Sequence, residues 1–262
     1  RTYPFMCVVP MTTQAIVRRR IPITRPASHR LTCRNRVHCP YWPSAQPERW
    51  FSAPAIATRS RQALAKGGTR LRWLNNCRRL VVNGLLLRWA MPASAIGWSA
   101  MATDRGWGIL PDAALPAWAG LALGLLALDL HGYGAHALLH KSPLPWRAHA
   151  LHHRDVDFDC TTGFRFHPLE ALYSSTVMLL VIAGAGIPPA AVALYTTWLG
   201  LQNLYGHANA RLGAALDTAL RWLVVTPDMH RVHHSAQSDE SNRNFGIVFP
   251  WWDRLFGTYR AA

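Results

Sequence analysis

Residues 171–205 read ALYSSTVMLLVIAGAGIPPAAVALYTTWLGLQNLY, 35 residues without one Asp, Glu, Lys or Arg. A membrane crossing takes about 20 apolar residues, so this stretch is too long for one span. Its midpoint, Gly184-Ala185-Gly186-Ile187-Pro188-Pro189, is rich in residues that end helices. The stretch therefore predicts a tight hairpin of two membrane helices. A soluble core helix pair would carry charges on its outer face.

Two apolar stretches precede the hairpin. Leu80–Ala102 runs 23 residues with Arg88 as its only charge, and Ala114–Leu130 runs 17 residues with only Asp129 near its end. The expected fold is all-α, a polytopic integral membrane protein with about four transmembrane helices and a cytoplasmic histidine-rich helical region. Basic flanks stay on the cytoplasmic side. The loop 103–113 has a net charge of −1 from Asp104, Arg105 and Asp112 and suits the outer side. Residues 131–170 and 206–262 then share the cytoplasmic face.

A formal charge of +15 points first to nucleic acid. Residues 1–79, however, hold 16 of the 28 Lys and Arg and one acid, Glu48, while residues 80–262 hold 12 basic and 12 acidic residues. The charge belongs to a leader, and no nucleic-acid partner is expected. Residues 1–66, with Arg18-Arg19-Arg20 and scattered Pro, read as a flexible basic leader rather than an organellar targeting peptide. The membrane domain is expected over 67–262. A first residue of Arg rather than Met suggests a fragment or a mis-called start. The group His29, Cys33, His38, Cys39 lacks the Cys-x-x-Cys of zinc modules. The five cysteines form no disulfide pattern, which fits a reducing compartment. With two Lys among 28 basic residues, the composition reads as GC-rich and bacterial, and the expected location is the inner membrane.

Eleven of the 13 histidines follow residue 130. His136-Ala-Leu-Leu-His140 presents an i,i+4 pair on one helical face. His149-Ala-Leu-His152-His153 and His230-Arg-Val-His233-His234 repeat one spacing about 80 residues apart. Thr226, Pro227 and Asp228 mark a helix start before the last cluster. Imidazole is a neutral ligand suited to Fe, Zn, Cu and Ni, and eight clustered imidazoles exceed the needs of one ion. The clusters are read as metal ligands for two ions, with His207 and His167 as further candidates. His131 is off register and is read as structural. Asp155, Asp157, Asp159 and Asp228 lie near the clusters and could orient ligands. Asp239 and Glu240 read as solvated loop acids. Asp129, an ionisable group at the membrane edge, is read as the acid with a functional role.

These residues resemble the fatty acid hydroxylase/sterol desaturase superfamily, in its bacterial sterol desaturase form, over about residues 68–262. The resemblance rests on Arg72-Trp73-Leu74-Asn75-Asn76, the three histidine boxes, Thr161-Thr162-Gly163-Phe164-Arg165-Phe166-His167-Pro168 and His207-Ala208-Asn209. It continues through Thr226-Pro227-Asp228-Met229-His230, Asn244-Phe245-Gly246 and Trp252-Asp253-Arg254-Leu255-Phe256-Gly257-Thr258. It implies a membrane-bound non-haem di-iron oxidoreductase that uses O2 to hydroxylate or desaturate a lipid C–H bond. His136, His140, His149, His152, His153, His230, His233 and His234 would ligate the two Fe ions, with His207 and His167 matching further histidines. Zinc is a possible occupant of the purified protein. The sequence departs from the pattern at Ala137, Arg154 and Gly206, which puts substrate contacts rather than ligands in question.

No dinucleotide fingerprint or phosphate loop is legible, so electrons are expected from a separate ferredoxin, cytochrome b5-like or reductase protein. No nucleophilic triad is legible either. Phe164, Phe166 and Trp146 are candidates to line a lipid path. The alternatives are a membrane zinc hydrolase, which lacks a His-Glu-x-x-His box, and a non-catalytic metal-binding membrane protein.

Overall fold

The computed structural model describes residues 68–155 and 157–261. The expectations placed on residues 1–66 lie outside the described residues. Every regular element among the described residues is helical, as an all-α chain requires.

The first apolar stretch is not one helix. Helix α1 spans Gly68–Ala90 and α2 spans Ala95–Asp104. Between them Pro92 has no N–H to continue the ladder. Ser94 then restarts it, its Oγ accepting from Gly97 N at 3.1 Å. The expected span over Leu80–Ala102 thus begins earlier and is interrupted. Hydropathy missed the first turns of α1 because they turn Arg72 and Asn76 inward.

Helix α3, Ala117–Lys141, joins the second apolar stretch and the first histidine box in 25 residues, about 37 Å of helix. Helix α4, Pro143–His153, carries the second box, and a 3₁₀ turn over Cys160–Phe164 follows. The long uncharged stretch folds as the expected hairpin, α5 over Pro168–Ala185 and α6 over Pro189–Gly206. Gly186 makes the turn at φ +69, where a Cβ would lie 2.5 Å from the Trp107 carbonyl oxygen. Only glycine fits both constraints. The remaining helices are short: α7 Ala214–Leu220, α8 Pro227–His233, α9 Ser238–Ser241 and α10 Trp251–Leu255. Thr226 caps α8 by accepting from Met229 N, and Pro227 opens it.

Leu128, Ile182, Ile187, Ala191, Val192 and Val248 form the core between α3, α5 and α6. Large apolar side chains also cover the outside, among them Leu80, Trp89, Trp118, Leu180 and Leu201. That surface suits lipid rather than water. Two stretches, Gly68–Asp104 and Pro168–Ala185, are long and apolar enough to cross a membrane by length and composition.

Candidate metal centre

Four elements bring the histidines together. α3 supplies His136 and His140 from its last turns, and α4 supplies His149, His152 and His153. His207 is the C-cap of α6, and α8 with its C-cap supplies His230, His233 and His234. These nine form two groups, in each of which the ring nitrogens lie within 4.8 Å of one another. One group is His136, His140, His149, His153 and His233. The other is His152, His207, His230 and His234.

The division cuts through the boxes. Residues four apart lie about 40° apart round a helix, and the residue three from the first lies about 60° to the other side. In α4 the i,i+4 pair His149/His153 joins the five-membered group and His152 the other. In α8 the assignment reverses: His230/His234 join the four-membered group and His233 crosses over. His153 and His234 stack at 4.3 Å between ring centroids where the groups meet. His167 is in neither group. It is the N-cap of α5, its Nδ1 accepting from Leu169 N at 3.2 Å.

Four of the nine clustered histidines have their outer nitrogen held by oxygen. His136 Nδ1 donates to the Phe245 carbonyl (2.9 Å), His207 Nδ1 to the Asn203 carbonyl (2.7 Å) and His233 Nδ1 to the Arg243 carbonyl (2.8 Å). His149 Nδ1 donates to Glu170 Oε1 at 2.6 Å. Each contact puts the proton on Nδ1 and leaves Nε2 as a bare lone pair facing inward. Inward, His207 Nε2 lies 3.0 Å from His230 Nε2 and 3.2 Å from His152 Nε2, and His149 Nε2 lies 3.1 Å from His153 Nε2. The Nε2 atoms of His233 and His234 have no hydrogen-bond partner. Lone pairs converging in a buried space need a cation between them. Burial holds His207 down at about 4 and His233 at about 3, so both are neutral at pH 7. Burial, then neighbouring imidazoles, also push His152, His153, His230 and His234 well below the ordinary value. The donor set fits two metal ions.

The acids do not stand where the sequence suggested. Asp129 is fully buried and holds the C-terminal segment, accepting from Trp252 Nε1 (2.9 Å) and from the Val248 and Phe249 amides (3.2 Å each). It anchors backbone instead of serving the metal site. Asp155 accepts from Arg72 and Asn76, both at 3.0 Å, and from Thr162. Asp159 also pairs with Arg72. Arg165 donates to Leu151 O at 2.9 Å, so this network pins the end of α4 against α1. Asp228 pairs with Arg231, and Asp239 and Glu240 with Arg260. Among the described residues the acid that meets a box histidine is Glu170, which lies outside the histidine boxes and their flanking loops. Its signal was available, since it is the last charge before the 35 uncharged residues.

A second set of contacts works through backbone. Asp253 accepts from the Phe245 and Gly246 amides at 2.8 and 2.7 Å, and Phe245 O holds His136. Asn244 at φ 54 ties the same loop to the Met229 carbonyl at 3.2 Å. The Asn-Phe-Gly and Trp-Asp motifs are therefore one device that fixes His136.

A cavity of about 680 Å³ opens under the histidines, within the range of small-molecule sites. His136, His149, His152, His207 and His230, drawn from both groups, form its polar roof. Leu80, Leu87, Leu139, Met178 and Leu199 line its walls. Phe166 lines it too and stacks on His152 at 4.9 Å, whereas Trp146 packs on His140 and Phe164 is not at the wall.

The sequence model of the fatty acid hydroxylase family matches residues 121–258. Ornithine lipid hydroxylase OlsE of Rhizobium tropici is 32% identical over 142 residues, 53% of this chain and 41% of its own. Human alkylglycerol monooxygenase is 29% identical over 138 residues, 52% of this chain and 29% of its own. Fatty acid hydroxylase vlmA of Lecanicillium sp is 26% identical over 165 residues, 56% of this chain and 44% of its own. The chain thus spans less than half the length of these relatives. No solved structure matches it. All nine clustered histidines fall inside the matched region, and the chain belongs to the fatty acid hydroxylase family, within the fatty acid hydroxylase/sterol desaturase superfamily.

Proposed function

We propose that the protein is a membrane-bound oxidoreductase that uses O2 to hydroxylate a lipid C–H bond, with two irons held by the two histidine groups. The observation that carries this is the union of nine histidines with an apolar cavity beneath them. Iron there would supply O2 activation; the overall change is R–H + O2 + 2 electrons + 2 H⁺ → R–OH + H2O. The chain's own part is positional. Glu170 and the three carbonyls keep Nε2 turned inward, and the apolar walls exclude water and hold an aliphatic chain under the roof. Electrons come from a separate donor protein. Hydroxylation is favoured over desaturation because the related proteins are named hydroxylases and a monooxygenase.

The topology we infer has four spans, with α1–α2, α3, α5 and α6 crossing a bacterial inner membrane. The histidine end faces the cytoplasm, and 67–262 form the membrane domain. A zinc hydrolase has one observation in its favour: Glu170 Oε2 has no partner, and Glu170 lines the cavity. Metal analysis of the detergent-purified full chain separates the readings. About two irons per chain and O2-dependent conversion of a lipid are expected; zinc alone, with no iron-dependent activity, would sink the oxygenase reading.

A further inference from the structure

His131 falls five positions before His136, off the register of the boxes, a spacing that fits a structural residue. The tertiary structure gives it a different setting. It lines the cavity, and its Nε2, closed off from solvent, has no hydrogen-bond partner. Five residues along a helix is about 7.5 Å, so His131 lies about that far below the ligand His136.

The facing wall has polar groups at the same level. Glu170 reaches His149, which places that end of α5 at the roof. Ser174 and Ser175 follow Glu170 by four and five residues, about 6 to 7.5 Å along α5, and both line the cavity. Nearby hydroxyls are already committed, Tyr195 to Asp129 and Thr196 to the Val192 carbonyl. The rest of the lining includes the apolar Leu80, Met178 and Leu199. A pure hydrocarbon would leave the buried His131 nitrogen unsatisfied, and buried polar groups in native proteins are paired.

We propose that the cavity takes a lipid bearing a hydrogen-bonding oxygen, of an ester, amide or hydroxyl, a few carbons from the carbon under the histidines, and that His131 reads this oxygen. Ser174 and Ser175 complete the polar level. The proposal rests on the lipid-hydroxylase reading and narrows its substrate to an oxygen-bearing chain.

The test is equilibrium binding of hexadecane, 1-hexadecanol, methyl palmitate and N-methylpalmitamide to the metal-loaded full chain in micelles, corrected for partition into detergent. At least one oxygen-bearing probe is expected to bind about tenfold tighter than hexadecane, the scale of one or two net hydrogen bonds. Its identity distinguishes carbonyl from hydroxyl recognition. His131→Leu should erase the preference without weakening hexadecane, and His131→Gln should restore most of it. Equal binding of all four probes to the wild-type protein overturns the proposal, whether or not the variants fold. A preference that survives His131→Leu also overturns it. Absence of binding by any probe, with both metals present, overturns the lipid reading itself.

Discussion

Glu170 Oε1 sits 2.6 Å from His149 Nδ1, a buried carboxylate on α5 setting the tautomer of a clustered histidine on α4. The pair ties the start of the uncharged hairpin to the second histidine box. Removing the acceptor lets the imidazole rotate and makes Nε2 a poorer ligand. Glu170→Ala is expected to lower metal affinity of the five-histidine group about 10- to 100-fold, and Glu170→Gln less. Competition titration with a chelator measures this; unchanged affinity in both variants would show that the contact does not orient the ligand.

The split of the boxes gives an unequal pair of losses. His230→Ala leaves three histidines in its group, and His233→Ala leaves four in the other. Metal analysis should find close to one ion per chain for His230→Ala. A weaker loss, seen first as faster chelator extraction, is expected for His233→Ala. Simultaneous loss of both ions in both variants would mean the groups are not separate.

His167 caps a helix and stands outside both groups. His167→Ala should cost about 1 kcal/mol of stability, the usual scale of a cap, and leave metal content unchanged. A drop of one ion per chain would return it to the ligand set.

Asp129 is a structural anchor on the same reasoning. Asp129→Ala strips the acceptor from Trp252 Nε1 and two amides, at a cost of about 3 kcal/mol for buried donors left unpaired. Melting of the metal-free chain should show the loss. The metal:protein ratio of the folded fraction should not change.

Acid should destabilise the metal-free protein in a defined window. His207 at about 4 and His233 at about 3 lie below the ordinary histidine value of about 6.5. Between these limits the unfolded chain binds protons that the fold refuses, so stability rises with pH and falls as pH drops below about 6.5. Each group contributes up to about 1.4 kcal/mol per pH unit. Melts of chelator-stripped protein from pH 7.5 to 5 check the sign, and a flat profile would contradict it.

Whatever depends on neighbours along the chain is legible in the residue order. An uncharged run of 35 residues broken at Gly186 and Pro188–Pro189 is a helical hairpin wherever it folds, because backbone and solvent set that outcome. Histidines at i and i+4 share a helix face by local geometry, so eight of the nine clustered histidines were legible as boxes and His207 as a further candidate. The remaining features depend on how helices cross. The crossing of α4 and α8 sends His152 and His233 to opposite groups, and no spacing along either helix contains that angle. The same packing gives His149 its carboxylate from α5, takes Asp129 to the C-terminal loop and turns His131 from an off-register residue into a cavity wall. Spacing names the groups one helix can present; partners 20 to 120 residues apart are chosen by the packing that buries them.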